Sequence, residues 1–196
     1  MSEHKISHTD VAARHQNVAA TFTARVDGVH DWDAPTPVGE WLARDIVRHL
    51  VDWSRGMFGA VEGVIFGDIP SVDEDPAAAW HRHTEQMQML LDNPAVEKLV
   101  LDNPHFGTQP LLQAVSTFYV PDVFMHTWDL AKASGQESGL DQATCHAMLE
   151  GMEKQEASLR ASGQFGVRQP VADDAPSDDQ LAAFIGRDPH WTAPTR

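Results

Sequence analysis

An aspartate and a histidine in the stretch 119–131 have the residue types and the spacing of metal ligands. Asp122 and His126 are four residues apart, and the apolar residues around them recur at spacings of three and four. This period is typical of a helix, on which residues four apart lie one above the other on the same face. A carboxylate and an imidazole among apolar side chains are costly to bury unless a partner satisfies them. A divalent metal ion would be such a partner.

A third ligand is expected from another element, because two protein ligands rarely hold a catalytic metal. His49 is the best candidate, and Asp45 or Asp52, four residues before it and three after it, could orient its ring. Two nitrogens and one oxygen suit Zn²⁺ or Ni²⁺ better than Mg²⁺ or Ca²⁺. Three protein ligands leave a position for water or substrate, as in catalytic sites. The alternative is a simple pair between Asp122 and His126, with His49 as a core histidine.

Four further residues are candidates for substrate binding near this site. Trp53, Tyr119 and Asp129 would line the pocket, although both aromatic residues could equally be ordinary core residues. Arg187 follows the last predicted helix, and a cation there would pair with a carboxylate on an anionic substrate or thiol. Its alternative role is to dock the tail, by pairing with Asp188 or with an acidic residue on the helices.

The apolar periodicity predicts a helical protein with very little strand. We expect an all-α fold, namely a four-helix bundle with short additional helices and a C-terminal extension. Residues 1–163 would form the metal-binding helical bundle, and residues 164–196 a linker, a short helix and a tail packed on it, so that the chain makes one domain overall. The region 94–109 could form a turn of helix or a short strand. The predicted helices cover 7–26, 41–64, 76–91, 110–134, 141–161 and 178–185.

Local signals refine the ends and the shape of these helices. Ser7 or Thr9 can cap the first helix, and Ser177 opens a capping-box sequence at the start of the last one. Pro121 lies inside the helix that carries Asp122 and removes one backbone hydrogen bond. A kink beside Asp122 is therefore expected.

The composition excludes several classes of function. The chain has 196 residues, 42% of them apolar, which suits one globular domain. There is no apolar run of about 18 residues to span a membrane, and residues 1–5 precede no apolar signal core, so a cytoplasmic location is expected. The net charge of −15 disfavours nucleic acid and anionic membrane surfaces as partners. The single cysteine, Cys145, rules out an internal disulfide and a thiolate metal cage.

Three stretches of the sequence carry a resemblance to a known group of proteins. They are 41–53, with the core RDIVRHL; 122–131, DVFMHTWDLA, followed by Gly135; and 181–189, LAAFIGRDP. The chain resembles the DinB-like superfamily and, within it, the actinobacterial relatives of mycothiol-dependent maleylpyruvate isomerase. The stretches occur in the expected order over most of the chain, and the middle one is the most specific.

The resemblance implies a four-helix bundle that binds a divalent metal ion on three residues. The first metal histidine of the family matches His49, and the last matches His126. The middle ligand in the family is a glutamate or a histidine, whereas this chain has Asp122, whose shorter side chain implies tighter or water-bridged coordination. The isomerase's additional C-terminal domain has no counterpart in 196 residues, so maleylpyruvate is not the expected substrate.

Two functions agree with these features. The first is a mycothiol-dependent transferase or isomerase, in which the metal ion lowers the pKa of the thiol and presents it to a small-molecule electrophile. Cys145 would not be the nucleophile, because it lies on a helix outside the predicted site. The second is a non-catalytic metal-binding or stress-response protein of the same fold. A homodimer is left open in either case.

Overall fold

Helices dominate the computed structural model, which describes residues 7–104 and 106–193. One small antiparallel sheet of two strands accompanies them. The fold is therefore mostly helical, as predicted, with an added hairpin. The elements in chain order are α1 (His8–Val26), α2 (Ala43–Phe58), α3 (Pro76–Asp92), a 3₁₀ turn (Pro94–Lys98), β1 (Val100–Asn103), β2 (Gly107–Pro110), α4 (Leu111–Ala114), a π turn (Val115–Tyr119), α5 (Val120–Ser134), α6 (Gln142–Glu153), α7 (Glu156–Ala161) and α8 (Ser177–Phe184).

Residues 1–6, 105 and 194–196 lie outside this description. The predicted absence of an N-terminal signal segment falls on the first of these ranges. Among the helices that the structure describes, none is both long enough and apolar enough to cross a membrane.

Four helices enclose the main apolar core. α1 packs against α3 and α5, and α2 packs against the same two helices. Each of the four contributes buried apolar side chains, including Phe22 from α1, Leu50 from α2, Trp80 from α3 and Val123 from α5. This arrangement places α2 beside α5, which are the helices that carry the predicted metal ligands.

A second, smaller apolar core lies between α5, α6 and α8. Phe124 and Trp128 contribute to it from α5, Leu149 from α6 and Phe184 from α8. α5 therefore buries side chains on two sides, which explains why none of its residues is fully exposed to solvent. The second core holds the C-terminal helix against the outside of α5.

Several helices begin and end at residues that favour helix termini, and the predicted cap at Ser7 is one of them. Ser7 caps α1 by accepting a hydrogen bond from the backbone N–H of Asp10. Asp75 caps α3, whose first turn holds Pro76. Gly135 has a φ of 68° and ends α5 in the left-handed conformation that glycine adopts without strain.

Two of the predicted helices are shortened or divided. α2 ends at Phe58 instead of continuing to residue 64, because Gly59 and Gly63 follow and Gly63 has a φ of 91°, which an α-helix does not contain. The predicted helix 141–161 is divided into α6 and α7. On either side of the break, Met152 and Leu159 both pack against the second core.

The capping box predicted at Ser177 does not form. α8 starts directly after Pro176 and has no side-chain hydrogen bond at its cap. The backbone N–H of Ser177 donates instead to Oε1 of Gln142 at 2.6 Å. A side chain from α6 therefore replaces the local cap, which a local sequence signal does not reveal.

The region 94–109 forms both of the structures considered for it. Asn93 caps the 3₁₀ turn by accepting a hydrogen bond from the N–H of Ala95. β1 then pairs with β2 so that Val100 lies opposite Pro110. The hairpin leads directly into α4, the start of the helical stretch that carries two of the predicted ligands.

Candidate metal centre

The π turn before α5 sets the orientation of the site residues that follow it. The backbone N–H of Val120 donates to the carbonyl of Val115, five residues back instead of four. Pro121 comes next, and it has no N–H to donate and clashes with the preceding turn of a regular α-helix. The wider turn accommodates the proline where the sequence predicts a kink, so the helical structure continues into α5.

The three predicted ligands, called the triad below, lie together between α2 and α5. Nε2 of His49 lies 3.1 Å from Oδ2 of Asp122, and Nε2 of His126 lies 3.5 Å from Oδ1 of the same carboxylate. One ligand atom from each residue falls within 4.8 Å of the other two. A tetrahedral ion with bonds of about 2.0–2.2 Å holds its ligand atoms about 3.3 to 3.6 Å apart. The measured distances are close to this spacing but end on different oxygens of Asp122, so an ion held by one of these oxygens requires the carboxylate to turn.

The triad is open to solvent on the α2 side. The exposed fraction of the side chain is 33% for His49, 22% for Asp122 and 7% for His126. His126 thus forms the buried end of the site and His49 its accessible end. A further ligand would reach the centre from the side of His49.

Asp129 fixes the orientation of the His126 ring. Its Oδ2 lies 2.9 Å from Nδ1 of His126, three residues earlier on α5. A carboxylate only accepts hydrogen bonds, so Nδ1 carries the proton. The other nitrogen, Nε2, then presents its lone pair to the centre of the triad, as in histidines that bind metals.

Asp129 is itself held by Arg187 from the C-terminal segment. The guanidinium donates two hydrogen bonds, from Nε to Oδ1 at 2.9 Å and from a terminal nitrogen to Oδ2 at 3.1 Å. Although burial raises the pKa of Asp129, His126 and Arg187 together lower it below its usual value. Asp129 and Arg187, two of the residues predicted to bind substrate, therefore lie behind His126 and bind each other. The acid that pairs with Arg187 is on a helix and is not Asp188.

The triad is also satisfied by its own hydrogen bonds and charges. Burial raises the pKa of Asp122, but the two histidines and the indole N–H of Trp53, at 2.9 Å, lower it by more. Burial likewise lowers the pKa of His126, but the carboxylates of Asp122 and Asp129 raise it above its ordinary value. The metal-free pair that the sequence leaves as an alternative is therefore compatible with the same geometry.

Trp41 is a residue of the site that is absent from the predicted set. The centroid of its indole lies 5.0 Å from the ring of His49 and 5.8 Å from that of His126, nearly parallel to the latter. A backbone hydrogen bond from Thr36 to the carbonyl of Trp41 closes the loop that presents it. Its sequence signal is its place at the start of the resembling stretch 41–53, since it lies in the loop before α2 and not on that helix.

Tyr119 lies below the site but turns its hydroxyl away from the triad. The side chain is fully buried, and the hydroxyl oxygen lies 2.9 Å from Nε2 of His83 on α3. Its ring packs against Trp53, with centroids 6.0 Å apart. Trp53 itself contacts both Asp122 and the ring of His49. Of this aromatic pair, Trp53 therefore reaches the triad and Tyr119 supports it from below.

Asp45 does not orient His49 as its spacing suggests. One oxygen of Asp45 accepts a hydrogen bond from the backbone of Leu42 at the start of α2, and the other pairs with Arg48. Asp52 is exposed. The acid that orients an imidazole of the triad is instead Asp129.

Comparison with known proteins finds relatives without a described activity. Two proteins of Mycobacterium tuberculosis, from strains CDC 1551 and H37Rv, are each 26% identical to this chain over 182 residues, which is 91% of this chain and 98% of theirs. Both are named as uncharacterized proteins. No protein-family model and no solved structure matches the chain. The similarity covers nearly the whole chain but does not indicate a function.

Proposed function

We propose that this protein binds one divalent metal ion through His49, Asp122 and His126. The observation that carries the proposal is the grouping of three ligand atoms, one from each of these residues, within 4.8 Å of one another. The hydrogen bond from His126 to Asp129 supports it, because it leaves Nε2 free for an ion. Two nitrogens and one oxygen favour Zn²⁺ or Ni²⁺.

We assign the four packed helices to the four-helix bundle of the DinB-like superfamily. The pairing of α1, α2, α3 and α5 supports this assignment. So does the origin of the ligands, since one comes from α2 and two from α5, in the order that the resembling stretches imply.

For catalysis, we propose a transferase or isomerase that uses mycothiol and a small-molecule electrophile. The bound ion would act as a Lewis acid that lowers the pKa of the thiol. His49 lies at the exposed end, where the thiol enters, and the indoles of Trp41 and Trp53 cover the imidazole beside it. Cys145 does not take the place of the thiol, because it is buried in the second core and burial raises its pKa to about 12.

A non-catalytic metal-binding or stress-response protein is the second candidate, and one observation favours it. The hydroxyl of Tyr119 bonds to His83, and the guanidinium of Arg187 is used on Asp129. Two groups that could have donated a proton or bound an anionic substrate therefore have internal partners. In that case the triad would bind an ion without catalysing a reaction.

Metal analysis tests the shared part of both candidates. Protein purified without chelator and without a nickel column should contain about one divalent ion per chain, and His49→Ala and His126→Ala should remove it. His81→Ala is the matched control, since His81 pairs with Asp27 on the surface. If both triad variants hold as much metal as the wild type, the assigned site is wrong.

Turnover separates the two candidates. Metal-loaded protein is mixed with a panel of electrophiles, with and without mycothiol or another low-molecular-weight thiol, and loss of the electrophile is followed. This readout covers a transferase, which consumes the thiol, and an isomerase, which regenerates it. A thiol-dependent enzyme converts the electrophile only with thiol present, at a rate that the two triad variants lose and His81→Ala keeps. Metal bound in full with no conversion above the protein-free rate supports the non-catalytic candidate.

A further inference from the structure

We infer that Arg187 is a positioning residue for the metal centre, so that metal affinity and the docking of the C-terminal segment 177–191 are coupled. The inference rests on the proposed function and concerns the same site. Arg187 touches no ligand of the ion. It acts through Asp129 on His126.

α5 connects the triad to the C-terminal segment through residues only a few positions apart. The ring of His126 faces His49 of α2, with centroids 5.0 Å apart, whereas Trp128, Asp129 and Lys132 contact the C-terminal segment. The indole N–H of Trp128 donates to Oδ1 of Asp179 at 2.9 Å, and Nζ of Lys132 lies 3.5 Å from the same oxygen. With the contact from Nζ of Lys132 to the carbonyl of Pro189, the segment has three polar attachments to α5, and only the one at Arg187 leads to the triad.

The backbone around Arg187 is tightly constrained. Gly186 has a φ of 97°, and a Cβ there would lie 2.6 Å from the Cα of Gly166. The N–H of Gly166 donates to the carbonyl of Ile185, and the N–H of Arg187 donates to that of Ala182. The end of α8 and the preceding linker therefore hold Arg187 in one place, so its guanidinium is pre-positioned for Asp129.

The geometry of the pair requires an arginine. Two donors of one guanidinium engage the two oxygens of Asp129 at 2.9 and 3.1 Å, and a lysine ammonium lacks this fork. Asp129 has a 1% exposed side chain. Without Arg187 it would be a buried carboxylate with one described partner, which is unfavourable. It would then be free to rotate away from Nδ1 of His126, and that ring would lose its fixed tautomer.

The coupling is reciprocal by thermodynamic necessity. If docking of the segment strengthens metal binding, metal binding strengthens docking by the same factor. Exchange of the amide hydrogens of 177–188 should therefore slow when Zn²⁺ is added to the full chain. This readout needs no enzymatic activity.

The test compares two variants that each break one of these attachments. Zn²⁺ affinity is measured by competition with a chromophoric chelator for the wild type, Arg187→Ala and the matched control Asp179→Ala, which removes the acceptor for Trp128 and the partner of Lys132. Because partners of this kind typically contribute 10- to 100-fold to metal affinity, Arg187→Ala should weaken binding by about 10-fold. Asp179→Ala should change it by less than about 2-fold, although it loosens the same segment.

Equal losses in the two variants would show that docking in general, and not the bond to Asp129, affects the metal. An unchanged affinity in Arg187→Ala would overturn the inference. Arg187→Lys, which keeps the charge without the fork, provides a second variant should Arg187→Ala not fold, and it should lose part of the affinity. A wild type that binds no Zn²⁺ would instead refute the proposed function.

A second measurement is independent of metal. In metal-free protein, nitrogen-15 shifts of the imidazoles report which ring nitrogen carries the proton. At alkaline pH, where the ring is neutral, the signal assigned to His126 by its loss in His126→Gln should show the Nδ1–H tautomer in the wild type and in Asp179→Ala. In Arg187→Ala the two tautomers should mix, and an unmixed Nδ1–H signal there would contradict the positioning role.

Discussion

The indole N–H of Trp53 donates a 2.9 Å hydrogen bond to Oδ2 of Asp122, the same oxygen that lies 3.1 Å from Nε2 of His49. Oδ1 of Asp122 faces His126 instead, at 3.5 Å. The two oxygens of the carboxylate therefore have different partners, and Trp53 helps decide which way the group is turned. An aromatic residue on α2 thus orients a ligand on α5.

Trp53→Phe should weaken metal binding while retaining most of the packing. The phenyl ring fills much of the indole's space but cannot donate to Asp122, so the carboxylate loses one of its orienting partners. We expect Zn²⁺ affinity to fall by about 10-fold. Trp80→Phe is the control, since that indole donates to Thr23 between α1 and α3, and should lower the melting temperature without changing the affinity. Equal affinities in Trp53→Phe and the wild type would show that the bond does not orient the ligand.

Metal binding should be visible in the fluorescence of Trp41. Its ring centroid lies 5.0 Å from that of His49, close enough for a quenching ion such as Cu²⁺ or Co²⁺ to act on the indole. Titration with Co²⁺ should quench the protein's emission to a plateau at one equivalent, and Trp41→Phe should reduce the amplitude of that change. His49→Ala should abolish it. Quenching that survives in His49→Ala would place the ion elsewhere.

The fold should survive removal of the ion. α1, α2, α3 and α5 bury their own apolar side chains, and only two of them carry ligands. Chelation should leave the far-UV circular dichroism unchanged and lower only the melting temperature. Binding contributes about 2.7 kcal/mol of stability at a free ion concentration 100 times Kd. A loss of helicity on chelation would indicate a structural ion instead.

His83 should make the stability of the metal-free protein fall in mild acid. Burial, followed by the charge of Arg55, lowers its pKa from 6.5 to about 3. The folded protein therefore keeps His83 neutral while the unfolded chain takes up a proton below pH 6.5, so the stability is full above that pH and is lost as the pH falls toward 3. The melting temperature should drop between about pH 6.5 and 4.5, and His83→Gln should flatten that slope.

Other titratable side chains change the stability in the opposite direction, or in a different pH range. The pKa of His126 is raised above 6.5 by its carboxylates despite burial, so its contribution is complete below pH 6.5 and lost only as the pH rises. The lowered pKa values of Asp122 and Asp129 act below about pH 4. Burial lowers the pKa of His15, so His15 acts in the same direction as His83. A His83→Gln slope as steep as that of the wild type would assign the effect to His15.

The parts of the site that could be predicted are those encoded by local spacing. Asp122 and His126 share a helix face because they are four residues apart, and this is independent of the rest of the fold. His49 lies on another helix, and its assignment needed the resemblance as well as the need for a third ligand. Local spacing therefore predicts the pair Asp122 and His126, whereas the position of His49 beside them depends on the packing of α2 against α5.

The remaining residues depend on contacts that no local pattern encodes. Arg187 and Asp129 are 58 residues apart. The sequence therefore does not decide between substrate binding and docking of the tail as the role of Arg187. Trp41 reaches the triad because a loop closes on itself before α2. The capping box predicted at Ser177 is absent for the same reason, because the backbone N–H of Ser177 donates to the side chain of Gln142 on α6.

The π turn Val115–Tyr119 has a consequence for how this sequence tolerates insertions and deletions. A turn of this kind contains one residue more than an α-helical turn, and the wider turn accommodates Pro121 after it. Deleting the exposed Thr117 would leave an ordinary α-helical turn, in which Pro121 would clash with the preceding turn and displace Asp122 beside it. Substitutions at Thr117 should be neutral, whereas a deletion there should abolish metal binding. The number of residues in this turn, more than their identity, is what the triad requires.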